Sequence, residues 1–279
     1  MRAIGHRTIN LAYALAISDL IISPATPSVT ARSGGIIFPI AKSLAVAFES
    51  EPGVTSRRMG AFLIQSVTHV SMVTSTLFLT SQAGNTLVAA LAAKTLNYQI
   101  DWLLWFKASV VPGMVSFAVV PYLLYKFYAP EIKETPEAKH IAQRELDQMG
   151  PVKTSEKILM FVFISSLLLW GTGQWTKIDP TVVGMIGVSI MLVGNVLDWQ
   201  DMIGEKSAWD TMIWMGSIIT LAGFLNSLGF IAWFSKIVSG SLVGLSWTVA
   251  LALILVIYMR RWGHASFIKV LLPTPITCL

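Results

Sequence analysis

The sequence predicts an all-α fold: a polytopic transmembrane bundle that contains a re-entrant helical hairpin and an unwound helix. Three observations predict this fold. Hydrophobic residues make up 54% of the 279 residues and charged residues only 13%, whereas a soluble domain carries about 25% charged residues. Apolar segments of spanning length recur along the chain. Two further apolar stretches are split by polar residues, as in membrane helices that turn back or unwind.

The first element is the hairpin, predicted over residues 9–48. Its two apolar arms, residues 9–22 and 34–48, are separated by a polar break at residues 23–32 that contains Pro24 and Pro27. Each arm has about 14 residues, whereas crossing a bilayer takes roughly 20. The arms are therefore expected to enter the membrane partway and return.

The next elements follow from length and polarity. Residues 62–96 form an apolar span with a Gly-containing polar interruption at residues 80–86, which predicts an unwound helix. Residues 102–128 form a full span bent by Pro112 and Pro121, and the charged residues 129–156 are expected to be a solvated cytoplasmic linker loop. Residues 1–128 thus form the first-repeat part of an inverted-repeat architecture.

Residues 157–259 form the second-repeat part. It contains predicted spans at 157–175, 182–197 and 209–228, a short interfacial helix at 229–240, and the start of a second hairpin at 245–259. The arm from Leu245 occupies the place that matches the first hairpin, entered from the opposite side.

Charge supports a membrane orientation. Alternating the spans places most basic residues on one face, as expected for the cytoplasmic side: Arg2, Arg7, Lys42, Arg57, Arg58, Lys126, Lys133, Lys139, Arg144, Lys153, Lys157 and Lys206, against Lys94, Lys107, Lys177 and Lys236 opposite. Such basic loops account for the net charge of +5, so we expect no nucleic-acid partner. The single cysteine, Cys278, provides no disulfide framework and no thiolate metal site.

The first break is a candidate anion site. Lipid offers no hydrogen-bond partner, so its backbone must line a cavity or pack inside the bundle. Ser28 and Thr30 stand at the start of the returning arm, where hydroxyls cap free amides and the helix dipole favours a carboxylate. Hydroxyls and carbonyls of both breaks could together hold a small cation beside it. Ordinary kinked spans use the same residue types, so spacing alone leaves binding and kinking open.

Two charged residues and one histidine in the apolar segments have alternative interpretations. Asp19 could serve a proton relay, but a structural pair with Arg32 is favoured. Arg32 itself could attract an anionic substrate or stabilise the packing of the hairpin, and the sequence leaves both open. His69 has no second ligand at metal spacing, so a hydrogen-bonded packing role is favoured over a metal site.

A family resemblance rests on four motifs. They are residues 27–40 (PSVTARSGGIIFPI), 79–85 (LTSQAGN), 148–151 (QMGP) and 217–221 (SIITL). The chain resembles the divalent anion/sodium symporter family, closest to its citrate/succinate antiporters and 2-oxoglutarate/malate translocators. This resemblance implies a multi-pass secondary transporter of the inner membrane that carries di- and tricarboxylates, by sodium symport or anion exchange. It also implies a homodimer and an elevator-like movement of the part that bears the hairpin.

The resemblance assigns site residues. The family's hairpin tip reads Ser-Asn-Thr and contacts sodium and a substrate carboxylate, a role that falls on Ser28, Val29 and Thr30. Gly84 and Asn85 form the other side of the cation site, with Na⁺ as the coupling ion. Val29 has no side-chain amide, which leaves backbone groups for carboxylate contact at that position.

Family members are nearly twice as long as this chain, so we expect it to be a fragment. Residues 260–279 begin with Arg260 and Arg261 where a second hairpin tip is expected, and they are interpreted as an aberrant tail. A polytopic membrane enzyme and a structural membrane subunit are the alternatives to a transporter. The spans lack the HExxH and GxSxG motifs and paired carboxylates, so we expect no enzyme.

Overall fold

The computed structural model describes residues 6–242 and, beyond them, residues 246, 248, 249, 252 and 256. Within these residues the chain is helical and contains no strand. The predicted hairpin start at 245–259 lies outside them except for those five residues, as does the whole tail at 260–279. The α-helices are α1 Thr8–Ile22, α2 Phe38–Ala47, α3 Gly60–Leu77, α4 Ala83–Leu96, α5 Trp102–Phe127, α6 Ala138–Met149, α7 Thr154–Gly171, α8 Gly173–Thr176, α9 Pro180–Val193, α10 Trp199–Gly204, α11 Lys206–Ser227 and α12 Phe230–Leu242.

Four helical segments of the described residues are long and apolar enough to cross a membrane: Thr8–Ala25, Trp102–Phe127, Thr154–Gly171 and Ala208–Ser227. The all-α polytopic fold is confirmed. The first of these segments joins α1 to a 3₁₀ turn, Ser23–Ala25, and so reaches 18 residues. The prediction that the first arm is too short to cross a membrane is therefore wrong, because the turn extends the apolar helix beyond residue 22. Pro180–Val193 is apolar but shorter.

The hairpin arms are α1 and the run from a π-helix, Thr30–Ile37, into α2. Both arms pack on α3, and all three share one core that includes Leu11, Leu15, Ile37, Leu44 and Phe62. Lipid competes with apolar contacts, so tight packing rather than water exclusion holds such an interface in a membrane. An eight-residue π-helix is unusual, because π geometry appears mostly as single-turn bulges, often at functional sites.

The second break is shorter and earlier than predicted. α3 ends at Leu77, residues 79–81 form a 3₁₀ turn, and α4 begins at Ala83. Gln82 is extended, with φ −153° and ψ 137°, and precedes the first turn of α4. Gly84 and Asn85 therefore lie in that first turn instead of in the unwound segment. In the structure the first break is shorter than the predicted 23–32 and covers residues 23–28, because the returning arm is helical from Val29. The second break covers residues 78–82.

α5 runs continuously through Pro112 and Pro121. Neighbouring groups make interior prolines tolerable in membrane helices, because they satisfy the freed backbone atoms. Gly113 packs so closely on α3 that an added Cβ would lie 2.3 Å from Leu77 Cδ2. α5 and α3 therefore form a tight pair beside the second break.

The segment at 129–156 is not simply a solvated loop. Its residues 131–135 bond to two other parts of the chain: Glu131 and Ile132 donate their amides to the carbonyls of Arg57 and Arg58 at 3.1 and 2.9 Å, and the Thr8 amide donates to Lys133 O at 3.0 Å. The helix α6 follows, and its Ala138 is buried in the hairpin core. The mixed charges predicted solvation, but backbone hydrogen bonding holds the start of this segment in place.

The described residues divide into two units, and the boundary between residues 215 and 216 falls within α11. The first contains the hairpin, both breaks and the helices up to α10. In the second, the described part of α12 has Phe230 in ring contact with Trp233 and Phe234, at centroid distances of 5.5 and 6.2 Å.

Candidate functional site

The two breaks meet. The Thr80 hydroxyl in the second break donates to Pro24 O in the first at 2.6 Å, and the Ala83 amide donates to Pro27 O at 3.1 Å. Trp102 of α5 donates its indole N–H to the Thr80 hydroxyl at 3.2 Å. Non-helical backbone from two segments is thus satisfied by protein, as a membrane interior requires.

Arg32 lies at the centre of this junction. Its side chain projects from the π-helix, is fully buried and donates five hydrogen bonds. Nε donates to Asp19 Oδ1 at 3.0 Å. Nη1 donates to Thr26 O and Ser81 O at 3.0 and 3.2 Å, and Nη2 to Ser71 O and Thr74 Oγ1 at 3.4 and 3.3 Å. A guanidinium has five N–H groups, so none is left for another partner.

Asp19 completes the pair. Its carboxylate is buried in α1, accepts the Arg32 bond and also accepts hydroxyl bonds from Ser71, at 3.2 Å, and from Thr74. The favoured pairing of Asp19 with Arg32 is confirmed by the ion pair. For Arg32, which the sequence left open, the contacts show a group that packs the hairpin against α3.

The predicted tip residues precede Arg32 in the chain and are less buried than Arg32. Ser28 is half-buried, and its Oγ accepts the Ala31 amide at 3.2 Å, which is the geometry of a helix N-cap. Its carbonyl accepts the Arg32 amide at 3.0 Å. Val29 is half-buried and Thr30 exposed. The returning arm therefore begins here, and its first amides and positive dipole end lie at Ser28, Val29 and Thr30.

Asn85 faces the end of α3. Its Nδ2 donates to Ser75 O at 2.7 Å and to Phe78 O at 2.9 Å. Two carbonyls beside the nitrogen fix the orientation of the amide, so Oδ1 is the atom that it can offer to a ligand. Gly84, next to it, is half-buried, and a Cβ there would lie 3.1 Å from Gln82 Nε2. The Ala83–Pro27 bond brings this turn next to the hairpin tip.

Side chains from α5 cap two further carbonyls at the end of α3. Trp105 donates its indole N–H to Thr76 O at 2.9 Å, and Ser109 donates its hydroxyl to Leu77 O at 2.7 Å. Sequence reasoning missed these groups, as it missed Ser71 and Thr74. The available signal was the i,i+3 spacing of Ser71 and Thr74, which places two hydroxyls on one face of an apolar helix.

A cleft of about 930 Å³ adjoins the junction. Pro24, Pro27, Thr80, Ala83 and Thr86 line one side of it, and residues of α7 and α9 line the other. The tip residues Ser28 and Thr30 and the predicted cation residues Gly84 and Asn85 lie outside this lining. The junction therefore places the predicted residues near the cleft but not in its wall.

His69 lies in α3. Its Nδ1 is 2.8 Å from Gln65 O, one turn earlier, within hydrogen-bond distance. The hydrogen bond expected for His69 is thus present, and its packing role stays a prediction.

Comparison with known proteins bears on the whole chain. A family model described as the sodium:sulfate symporter transmembrane region matches residues 1–274. The match extends to residue 274 and so includes most of residues 260–279, the segment predicted from the sequence to be an aberrant tail.

Three relatives illustrate the similarity. YflS of Bacillus subtilis, whose name includes malate transporter, is 46% identical over 88% of this chain and 52% of its own length. Dicarboxylate transporter 1, chloroplastic, of Spinacia oleracea is 39% identical over 96% of this chain and 47% of its own. The L-tartrate/succinate antiporter of Escherichia coli (strain UTI89) is 37% identical over 95% of this chain and 55% of its own length. The chain thus spans about half the length of these relatives.

Proposed function

This chain belongs to the sodium:sulfate symporter family, and from this membership we propose that it contributes to secondary active transport of dicarboxylate and tricarboxylate anions across a membrane. The observation that carries the proposal is the meeting of two polar breaks between apolar helices, joined by Thr80–Pro24 and Ala83–Pro27 bonds. Broken helices that meet in a membrane provide backbone and side-chain groups for a polar ligand. The names of the relatives indicate transport rather than an enzymatic activity.

The proposed substrate contacts are Ser28, Val29 and Thr30. Ser28 caps the returning arm, and the first amides of this arm and its dipole end favour a carboxylate. Thr30 contributes an exposed hydroxyl and Val29 its backbone. Substrates of this class include succinate, malate, citrate and 2-oxoglutarate, and each has at least two carboxylates for such a site.

The proposed coupling ion is Na⁺, held by Ser28 and Thr30 on one side and by Gly84 and Asn85 on the other. Asn85 Oδ1, the Gly84 carbonyl and two hydroxyls are hard oxygen ligands of the kind that broken helices offer to Na⁺. Anion exchange without sodium is the alternative mode. The name of the matched family favours sodium, and the antiporter relative favours exchange.

The membrane and the assembly are also proposed. The four helices of spanning length in the described part of the chain, together with basic connecting segments, suit a multi-pass protein of the cell's inner membrane. The charged segment at 129–156 then lies on the cytoplasmic side. A homodimer is proposed from the family resemblance. The partners are thus the lipid bilayer, a second copy and small carboxylate anions.

Binding of labelled succinate to the purified chain in lipid nanodiscs tests the site. We expect saturable binding that the double substitution Ser28→Ala and Thr30→Ala abolishes. Thr68→Ala with Thr76→Ala is the matched control, because it also removes two exposed hydroxyls. These hydroxyls donate to carbonyls of their own helix α3, Ile64 O and Val73 O. Binding that survives the tip substitution would contradict the assignment.

Replacing sodium by N-methylglucamine in the same assay distinguishes the two modes. If sodium is the coupling ion, succinate affinity falls, and Asn85→Ala reduces the sodium dependence. An affinity unchanged by sodium removal would support exchange and exclude the proposed cation site.

A further inference from the structure

We propose that Asp19 and Arg32 are positioning residues: the buried pair holds the two breaks together, and Arg32 shapes the tip without contacting the transported anion. This inference rests on the proposed function for its effect on substrate binding. The geometry of the junction itself does not depend on that function.

The first argument is connectivity. One guanidinium bonds to a carbonyl in the first break, Thr26 O, to one in the second break, Ser81 O, and to one in α3, Ser71 O. A planar guanidinium presents its donors in a rigid fork. Moving either break relative to the other would therefore break at least one of these bonds.

The second argument is charge. Asp19 neutralises Arg32 at 3.0 Å, and both side chains are almost fully excluded from solvent. The hydroxyls of Ser71 and Thr74 also donate to the Asp19 carboxylate. A neutral pair with every guanidinium N–H occupied has no donor to offer an anion, which separates Arg32 from the substrate contacts on the tip.

The third argument is proximity along the chain. The Arg32 amide bonds to Ser28 O at 3.0 Å, one turn away in the returning arm. The side chain of Arg32 is fixed from three directions, so the first turn that carries Ser28 and Thr30 is fixed with it. Loss of the Arg32 hydrogen bonds should displace the tip and weaken substrate binding indirectly.

The distance between the two sides of the junction tests this proposal. In a Cys278→Ser background, Ile36→Cys in the π-helix and Val88→Cys in α4, which are 41% and 53% exposed, take spin labels for electron–electron distance measurement. Arg32→Lys keeps the charge but offers three donors in place of five. We expect a longer and broader distance distribution. Arg58→Lys is the matched control, because Arg58 forms the exposed pair with Glu49, and it should leave the distribution unchanged.

A second variant keeps the proposal testable if Arg32→Lys does not fold. Removing both charges by Asp19→Leu with Arg32→Met avoids a lone buried charge and is expected to fold. It should still give the broadened distribution. A distribution like that of the parent chain in either folded variant would overturn the proposal.

Succinate and citrate binding show whether Arg32 acts through the tip. A positioning role predicts an equal loss of affinity, about tenfold, for both anions in Arg32→Lys, because the charge is retained and the tip is displaced. A loss that grows with the number of carboxylates would overturn the claim that Arg32 makes no anion contact. If the parent chain binds neither anion but the distances change as expected, the Asp19–Arg32 pair does hold the two breaks together and the proposed function fails.

Discussion

Polar groups are placed differently in the helices around the two breaks and in the α7–α9 pair. The segments up to Asn85 bury Asp19, Arg32, Ser71, Thr74 and Ser81, among other polar side chains. In α7 and α9 the buried residues are Val162, Val183 and Gly187, none of them polar. Half of the residues of the Thr8–Ala25 segment are buried, compared with 6% of those of the Thr154–Gly171 segment. One region is organised by a polar network and the other by an apolar contact.

This difference shows how each region is specified in a membrane. Lipid does not drive apolar helices together, so helices pair through close approach at small residues or through hydrogen bonds. The α7–α9 pair uses close approach: a Cβ on Gly187 would lie 3.1 Å from Val162 Cγ1. The break region uses hydrogen bonds because its non-helical backbone must be satisfied. Substitutions should therefore have different costs in the two regions.

The largest effect is expected from Asp19→Ala. The variant leaves the Arg32 guanidinium buried without its counter-charge, and breaking a buried pair costs about 3–5 kcal/mol. Thermal unfolding of the detergent-purified chain measures this cost. Glu49→Ala, which removes the exposed pair with Arg58, should cost at most about 1 kcal/mol. Equal costs at the two sites would show that the buried network does not organise the break region.

The next effect is expected from Gly113→Ala on α5. The new Cβ would lie 2.3 Å from Leu77 Cδ2, so the Leu77 side chain or the α3–α5 packing must shift. Overpacking of this kind costs about 1–3 kcal/mol. Gly184→Ala in α9 is the matched control, because nothing lies within 4 Å of its added Cβ, and alanine is the better helix former by about 1 kcal/mol. A destabilised Gly184→Ala would mean that the apolar pair is also tightly specified there.

A smaller effect is expected from Trp105→Phe. The substitution keeps an aromatic ring but removes the indole N–H that donates to Thr76 O. The net contribution of one intramolecular hydrogen bond to the free energy of unfolding is about 0.5–1.5 kcal/mol. Trp175→Phe, at an exposed site in α8, provides the comparison and should change the unfolding temperature little. If both variants unfold alike, the capping of α3 by α5 contributes nothing measurable.

Much of the fold could be predicted, because membrane spans follow from length and hydropathy alone. The two apolar arms with Pro24 and Pro27 between them and the continuous apolar run of α5 belong to this part. The length of the first arm does not, because Thr8–Ala25 reaches 18 residues. The pairing of Asp19 with Arg32 could be favoured, since a membrane charge needs a partner. Its carbonyl partners could not be found from the sequence. The i,i+3 spacing of Ser71 and Thr74 was a weak signal for its hydroxyl partners, because serine and threonine in an apolar helix also bond to their own backbone.

The second break was misplaced for a related reason. Gly84 and Asn85 disfavour helix by propensity, which predicted unwinding through residue 86, yet Asn85 bonds across the break to Ser75 O and Phe78 O. A tertiary bond of this kind overrides local propensity and leaves no mark in the sequence. The packing of residues 131–135 was missed likewise, because its bonds are between backbone atoms.

The smallest effect concerns a charge outside the membrane helices. Asp179 precedes α9, and hydrogen bonds from the Thr181 side chain and then from its amide, at 2.7 Å, hold the pKa of this carboxyl below its usual value. A lowered pKa in the folded state means that the ionised carboxylate stabilises the fold above the usual pKa of an aspartate, about 3.9. That contribution is lost as the pH falls through the lower folded pKa.

We therefore expect Asp179→Ala to lower the unfolding temperature slightly at pH 7 and to match the parent chain once the pH lies below the folded pKa. Asp179→Asn keeps a capping oxygen without the charge and should retain most of the stability, with less dependence on pH. Asp179 is exposed, so water and salt screen its charge, and the shift should shrink at high ionic strength. A shift as large as that of Asp19→Ala would mean that exposed helix ends, rather than the buried network, set the stability of this chain.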